Sequence, residues 1–400
     1  GLRDRRAAAR TGCRAGDGMS AGAVLGLAGL LACVGSGLLC YLALRKNLGA
    51  RRGSLDGAAP PVSILKPLAG TDEGLEANLE SFYALEYPRM EIVFSFASVG
   101  DPAFPIARRV ADRHPAIPST FVIDAREPGS NSKVNRLSAA ARRARHKLLL
   151  FSDGNVSVRP DFLRRAVSLL DDPRVGLVSH LFRGSGARSL ASRLECLHLN
   201  AGLNAAVAAV AWVRGLPCVV GKSILLRRDV LDEIGGFGAI SEYLAEDFVL
   251  GRAVSATGAR VLLSSDVIDT SEVSKPLAAV WARHRRWALM RVRLGGAAYL
   301  LEAFFCPAVW LAALAASGAP EGALAAGGAL LALRYGLEAA SARRLGAPLC
   351  ARDLALLPLR DLFAASVFVA GLLGRRVSWR GRTIALGRGT RILRGQVFSC

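Results

Sequence analysis

Apolar positions along this chain fall into three regimes. Residues 19–44 carry no charged side chain. As a helix rising about 1.5 Å per residue, such a run can cross a hydrocarbon core of roughly 30 Å. It is longer than the apolar core of a secretory leader and has no small-residue cleavage site before the basic stretch that follows, so it is expected to remain as a membrane anchor. From residue 62 to about 265 the pattern changes to short apolar runs separated by polar, Gly- or Pro-containing stretches. Strands are predicted over 62–65, 91–97, 120–123 and 147–151, with helices over 75–85, 104–113, 133–145 and 161–170. Strands alternating with helices predict an α/β fold with a mostly parallel sheet covered on both faces. The Ala-rich stretch 199–213 reads as buried helix rather than a span, and Arg183-Gly-Ser-Gly-Ala187 as a flexible loop. Beyond residue 302 the chain turns apolar again, and 303–319, 322–333 and 362–373 predict two or three membrane-embedded helices. The last two reach spanning length only by burying Arg334 or the Arg360/Asp361 pair.

Composition sharpens this division. Hydrophobic residues make up 52% of the 400 residues, and the formal net charge is +20. Together these point to a membrane protein whose soluble part lies against anionic lipid. Aromatic residues are only 6% and no nucleic-acid motif is present, so no nucleic-acid partner is expected. Arg45, Lys46, Arg51 and Arg52 follow the anchor at once and would hold the next domain in the cytoplasm. Met19 reads as a natural start, so residues 1–18 are expected to be a disordered or non-native extension. The eight cysteines are scattered without a CxxC pair, which predicts no disulfide framework and no zinc site, as in a reducing compartment. The expected organisation is an anchor over 19–44, a catalytic domain over 60–270 and an amphipathic interfacial segment over 271–298. Membrane-embedded helices follow over 299–374, then a basic cytoplasmic tail over 375–400.

In parallel sheets ligands bind beyond the carboxyl ends of the strands. Asp101 follows the second predicted strand and Asp153, in Ser152-Asp153-Gly154-Asn155, follows the fourth. Taken singly, each reads better as a turn or helix-capping Asp. Glu246-Asp247 opens an apolar helix-like run over 248–254 and is also a fitting charge for a helix N-terminus. Arg283-His-Arg-Arg-Trp287 alone matches an interfacial basic helix. His180 and His198 read as structural residues.

In combination, Asp101, Asp153, Asp247 and Arg283-x-x-Arg286-Trp287 resemble the spaced aspartates and R-x-x-R-W element of processive-type inverting glycosyltransferases. Within that group the chain is similar to ceramide glucosyltransferases. The stretches that carry this likeness are Ser63-Ile-Leu-Lys-Pro-Leu68, Asn131-Ser-Lys-Val-Asn135, Val219-Val-Gly-Lys-Ser223, Leu244-Ala-Glu-Asp247 and Val377-Ser-Trp-Arg-Gly-Arg382. The resemblance implies a GT-A nucleotide-sugar-binding domain flanked by N- and C-terminal membrane helices, in a multi-pass protein with its catalytic domain facing the cytoplasm. It implies a hexosyltransferase moving glucose from UDP-glucose to a lipid hydroxyl, ceramide in the simplest case, to give a β-glucosyl lipid. A Mg²⁺ or Mn²⁺ ion held by Asp153, with Asn155 in place of the second acid of a D-x-D pair, would neutralise the leaving diphosphate. Asp101 would contact the base or ribose of the donor, and Lys133 and Asn135 would lie near the nucleotide or its phosphates. Asp247 would be the general base, with Glu246 as the other carboxylate able to serve or to raise its pKa. Arg283 and Arg286 would face the diphosphate, and Trp287 the acceptor side. Competing readings are N-acetylglucosamine transfer to another lipid such as a hopanoid, a polysaccharide synthase, and a basic membrane-surface scaffold.

Overall fold

The computed structural model describes residues 19–50, 53–214, 219–379, 382–393 and 398–399. The expected extension over 1–18 lies outside the described residues, as do Arg51, Arg52, Arg380, Gly381, Cys13, Cys218 and Cys400. A long helix, α1 (Ala21–Leu48), leads into β1 (Val62–Pro67), α2 (Leu75–Tyr83), β2 (Met90–Phe96), α3 (Ala103–Arg113), β3 (Ser119–Ile123), α4 (Ser132–Ala141) and β4 (Leu148–Ser152). Next come the short β5 (Val156–Ser157), α5 (Phe162–Ser168), β6 (Val175–Ser185), α6 (Leu190–Leu197), α7 (Asn204–Arg214), β7 (Ser223–Arg227), α8 (Arg228–Glu233), α9 (Glu246–Ala256) and β8 (Arg260–Ser271). Helices α10 (Leu277–Gly295), α11 (Pro307–Ala316), α12 (Glu321–Arg344) and α13 (Ala351–Leu373) precede a small sheet of β9 (Arg376–Trp379), β10 (Arg382–Ala385) and β11 (Phe398–Ser399).

The main sheet has eight strands in the order β3-β2-β1-β4-β7-β6-β8-β5. β1 to β4 run parallel, as do β6 and β8, while β7 is inserted antiparallel between β4 and β6. Every residue of β1, β2 and β4 is buried, which is why these strands are mostly apolar, while the polar Ser63 and Glu91 inside them bond to each other at 2.6 Å. Alternate side chains serve opposite layers. Ile64, Phe94 and Leu150 pack with Leu79 of α2 and Val110 of α3, whereas Leu65, Val93 and Leu149 pack with Leu137 of α4 and Leu250 of α9.

Two expectations are corrected. Arg183, Gly184 and Ser185 belong to β6 and are not a flexible loop. Both amide atoms of Asn200 grip the Gly184 backbone, accepting from its N–H at 2.8 Å and donating to its carbonyl at 2.9 Å, and so hold this Gly-containing segment extended. The stretch 199–213 is not wholly buried either. A π-helical turn (His198–Leu203) joins α6 to α7, so Leu190–Val213 runs as 24 helical residues. Its Ala205, Ala208 and Ala209 pack against Cys40, Ala43 and Leu44 of α1, but Val210, Trp212 and Val213 are exposed.

Ala21–Leu48, Leu190–Val213 and Ala351–Leu373 are each long and apolar enough to cross a membrane, and the pair Leu277–Phe305 and Pro307–Ala316, bent by 72°, passes the same test together. Exposed Leu25, Leu31 and Leu38 of α1 and Leu362, Val369 and Leu373 of α13 give these helices apolar outer surfaces. Of the apolar segments expected after residue 302, the first contains α11, and the other two fall within α12 and α13. The burial of Arg334 and the Arg360/Asp361 pair is met by a closed ionic cluster. Glu338 pairs with Arg334 (3.0 Å) and Arg360 (2.5 Å), and Arg360 with Asp361 (2.8 Å). Asp361 also accepts from Tyr335 Oη (2.8 Å) and the Ala308 N–H (3.1 Å), and Arg334 donates to the Cys33 carbonyl (3.2 Å). Gly37 of α1 admits the Arg334 side chain, since a Cβ there would lie 2.0 Å from its Nη1.

Candidate active site

The ends of β1 and β4, the loop before β7, the N-terminus of α9 and one face of α10 surround a cleft of about 550 Å³. Lys133, Asp153, Asn155, Glu246, Asp247, Arg283, Arg286 and Trp287, all singled out from the sequence, line it. At its floor the Lys133 ammonium touches Asp153 (2.8 Å), Glu246 (3.1 Å) and the Gly221 carbonyl (3.0 Å). Burial works against the charge on Lys133, but Asp153 and Glu246 outweigh it and hold the pKa above its ordinary value. Asn131 caps α4 through the Lys133 and Val134 N–H groups and donates to the Tyr243 carbonyl and to Glu246 (3.3 Å). One N-cap side chain thus ties the start of α4 to the start of α9.

Asp247 is set differently from its neighbour. Its carboxylate accepts from the Gly221 and Phe248 N–H groups, both at 2.8 Å. Burial, with the Glu246 charge beside it, pushes its pKa up to about 6 against the pull of Lys133. The approach to Gly221 is close, for a Cβ there would lie 2.8 Å from Asp247 Oδ2. That contact explains the glycine of Val219-Val-Gly-Lys-Ser223 by packing. The lysine of the same stretch, Lys222, donates to Asn155 Oδ1 (3.0 Å) and stands 3.7 Å from Asp153, with its pKa lowered by burial.

Two expected residues stand back from the cleft wall. Asp101 accepts from the Ala103 N–H (2.9 Å), capping α3, and from the N–H of Gly70 (3.0 Å), which does line the cleft. Asn135 is buried, with its amide bonded at both ends to the Gly129 backbone (3.0 and 2.8 Å). Arg283 reaches the cleft while pairing with two buried carboxylates, Glu195 (3.0 Å) and Glu272 (3.1 Å). Its guanidinium also lies 6.0 Å from the Trp287 ring centre.

Several contributors were not selected from the sequence. Lys66 is fully buried, lies 3.3 Å from the Phe82 ring centre and donates to Ser152 (3.3 Å) and the Asp153 carbonyl (3.2 Å); burial lowers its pKa strongly. Only its place in Lys-Pro-Leu marked it. Glu272 binds Lys275 and Arg283 beneath α10. Burial opposes its charge, but Arg283, Lys222 and Lys275 hold its carboxyl down at about 2. The far end of the chain also arrives here. Thr390 receives the Leu244 N–H on its carbonyl (3.0 Å) and the Ala245 N–H on its hydroxyl (3.2 Å), and Trp379 lines the cleft.

Asp153 and Asn155 supply two hard oxygen donors of the kind Mg²⁺ or Mn²⁺ takes alongside phosphate and water oxygens. The Lys222 ammonium now lies against both. Among the described residues no group of three or more His, Cys, Asp or Glu side chains could hold a metal, so any ion here would depend on oxygens brought by a ligand.

Residues 27–392 match the family described as glycosyl transferase family 21. Ceramide glucosyltransferase 1 of Caenorhabditis elegans is 30% identical over 240 residues, covering 60% of this chain and 51% of that protein. Ceramide glucosyltransferase 3 of the same organism is 26% identical, over 60% of this chain and 52% of that protein. The chain thus spans about half the length of these curated relatives. A mannosyltransferase from Pyrobaculum calidifontis, solved with GDP-Man and Mn²⁺, superposes with a TM-score of 0.54 at 22% identity, covering 88% of this chain and 99% of that one. At that identity the likeness is one of fold.

Proposed function

We propose a reaction for this chain from one premise: it belongs to glycosyl transferase family 21. The reaction is transfer of glucose from UDP-glucose to the hydroxyl of a lipid, ceramide above others, with inversion to a β-glucosyl lipid. The relatives named ceramide glucosyltransferase support donor and acceptor. The observation that carries the chemistry is Asp247, a carboxylate with a raised pKa held by two backbone N–H groups at the cleft floor.

In this reaction the lipid oxygen forms a bond to the anomeric carbon while the bond from that carbon to the diphosphate oxygen breaks. UDP departs, and the hydroxyl proton passes to Asp247. A carboxylate positioned as general base contributes about 10²- to 10⁴-fold. Glu246 is less suited to that step, because Lys133 and Asn131 already engage it. Arg286 and Lys222 on the cleft wall bring positive charge to the diphosphate. Asp153 and Asn155 would hold a divalent cation, whose chemistry is charge neutralisation of the leaving diphosphate. Asp101 acts on the donor through the Gly70 loop it fixes.

Helix α10 forms a cleft wall and belongs to the bent pair apolar enough to enter a bilayer. An amphiphilic acceptor would therefore meet the site at headgroup height. The basic Arg45 and Lys46 at the end of α1 favour a multi-pass protein with its catalytic domain in the cytoplasm.

The test offers detergent-solubilised protein labelled UDP-glucose, UDP-galactose or UDP-N-acetylglucosamine with Mg²⁺ and ceramide. Glucosylceramide that disappears on chelation is the expected result. Labelling of a different lipid would remove ceramide from the proposal, and folded protein that binds no nucleotide-sugar would end it.

A further inference from the structure

A second cavity, of about 330 Å³, shares no lining residue with the reaction cleft. Its wall carries the guanidiniums of Arg159, Arg183 and Arg344 against one carboxylate, Asp266, together with Ser265 and Leu48. Arg183 is fixed by Asp269 and by the Gly346 carbonyl (3.1 Å). Arg159 is held by Asp161 and Asp266, both at 3.4 Å, and Arg344 donates from Nε to Tyr41 Oη (3.3 Å). A guanidinium carries five N–H donors in a planar fork, so these bonds leave donors over. Ser265 is 6% exposed and its hydroxyl has no hydrogen-bond partner among the described residues. Several convergent cationic forks are the donor set a phosphate takes.

The position of the cavity indicates where such a phosphate comes from. Leu48 closes α1 and Arg344 closes α12. The two helices run parallel, since the Cys33 carbonyl meets Arg334 and Tyr41 meets Arg344 farther along both. At the same end Lys46 lies 4.9 Å from the centre of the exposed Trp212 ring. Basic and aromatic side chains ending apolar helices mark the headgroup layer, and basic pockets between membrane helices bind anionic headgroups. We propose that this cavity binds the phosphate of an anionic lipid headgroup, separately from the reaction cleft. Inorganic phosphate offers the same chemistry without the membrane.

The full chain in neutral detergent would be titrated with dioctanoyl phosphatidic acid, dioctanoyl phosphatidylcholine and inorganic phosphate, reading the thermal midpoint. Phosphatidic acid is expected to raise the midpoint saturably and phosphatidylcholine to leave it unchanged. The double variant Arg159→Gln/Arg344→Gln, at exposed positions, should weaken that binding at least tenfold. Arg45→Gln/Arg343→Gln, which removes two exposed arginines at the same helix ends, should change it less than twofold. Equal loss in both double variants would mean diffuse surface attraction and overturn the site, as would the absence of a saturable shift. Saturation by inorganic phosphate at the lipid's own concentration would overturn the headgroup source.

Discussion

In the proposed reaction the carboxylate at position 247 lies beside another carboxylate and takes the hydroxyl proton. Its pKa near 6 reflects a balance, since burial and Glu246 raise it while Lys133 and two N–H donors lower it. A base works only when deprotonated. The rate should therefore fall about tenfold per pH unit below about 6 and level off above about 7. Asp247→Asn is expected to lower kcat by about 10²- to 10⁴-fold, to erase the acidic limb and to leave UDP affinity within a few-fold of wild type. A pH–rate profile with parallel UDP calorimetry checks this, and an acidic limb that survives in the variant assigns the proton to another group. The strand ends pointed to Asp101 and Asp153, of which Asp153 lines the cleft and Asp101 stands behind it on the Gly70 N–H, whereas Asp247 stood out only through the combination with Arg283-x-x-Arg286-Trp287. Lys66 and Lys222 were not legible in the sequence, since nothing in a lysine's local pattern says that its ammonium will be folded beneath a strand-end loop.

Among the elements, α10 is the one whose placement matters most to the site, and the acids beneath it set that placement. Glu272, at the end of β8, holds Lys275 and Arg283 together, whereas Glu195 of α6 shares only Arg283 and stands 3.4 Å from His284. Removing one member of a buried ionic cluster costs about 3–5 kcal/mol. Glu272→Gln should reach that loss and raise the donor KM by freeing Arg283, while Glu195→Gln should be mild because it relieves two carboxylates of sharing one guanidinium. Thermal midpoints and donor kinetics of the two variants make the comparison. The sign with pH follows from the depressed pKa. Stabilisation by Glu272 is complete above an unfolded value of about 4.3 and is lost as pH falls from there to about 2. The same region shows why β6 and β8 escaped the sequence reading. β6 buries Ser179 and His180, and β8 buries Ser264, Ser265 and Asp266, so neither forms an apolar or cleanly alternating run. In β6 these polar residues meet partners far along the chain: Ser179 accepts from the Val220 N–H at 2.8 Å, and a His180 ring nitrogen lies 3.2 Å from the Ser223 carbonyl oxygen.

On the scale of the whole molecule, α1 packs against the helix over 190–213 and, through Leu44, beside β6, while the cluster of Arg334, Glu338, Arg360 and Asp361 locks α12 and α13 to each other and to α1. With two guanidiniums and two carboxylates, all at most 2% exposed, it is neutral as a set, and no member balances alone. Glu338 is its hub, since both arginines pair with it. Glu338→Gln would leave two buried cations against one carboxylate and is expected to cost about 3–5 kcal/mol. The loss should appear as a lower thermal midpoint in detergent and faster proteolysis between α11 and α12. Replacing all four residues by leucine or methionine of similar bulk removes every charge together, and such exchanges of complete ionic sets are neutral or stabilising by about 1–4 kcal/mol. If the cluster serves only to hold α1, α12 and α13 together, the fourfold variant should recover the wild-type midpoint and its transfer rate. A recovered midpoint with a lost rate would show that these charges also act on the proposed lipid acceptor or on the motions that admit it, a role that the bonds within the cluster do not require.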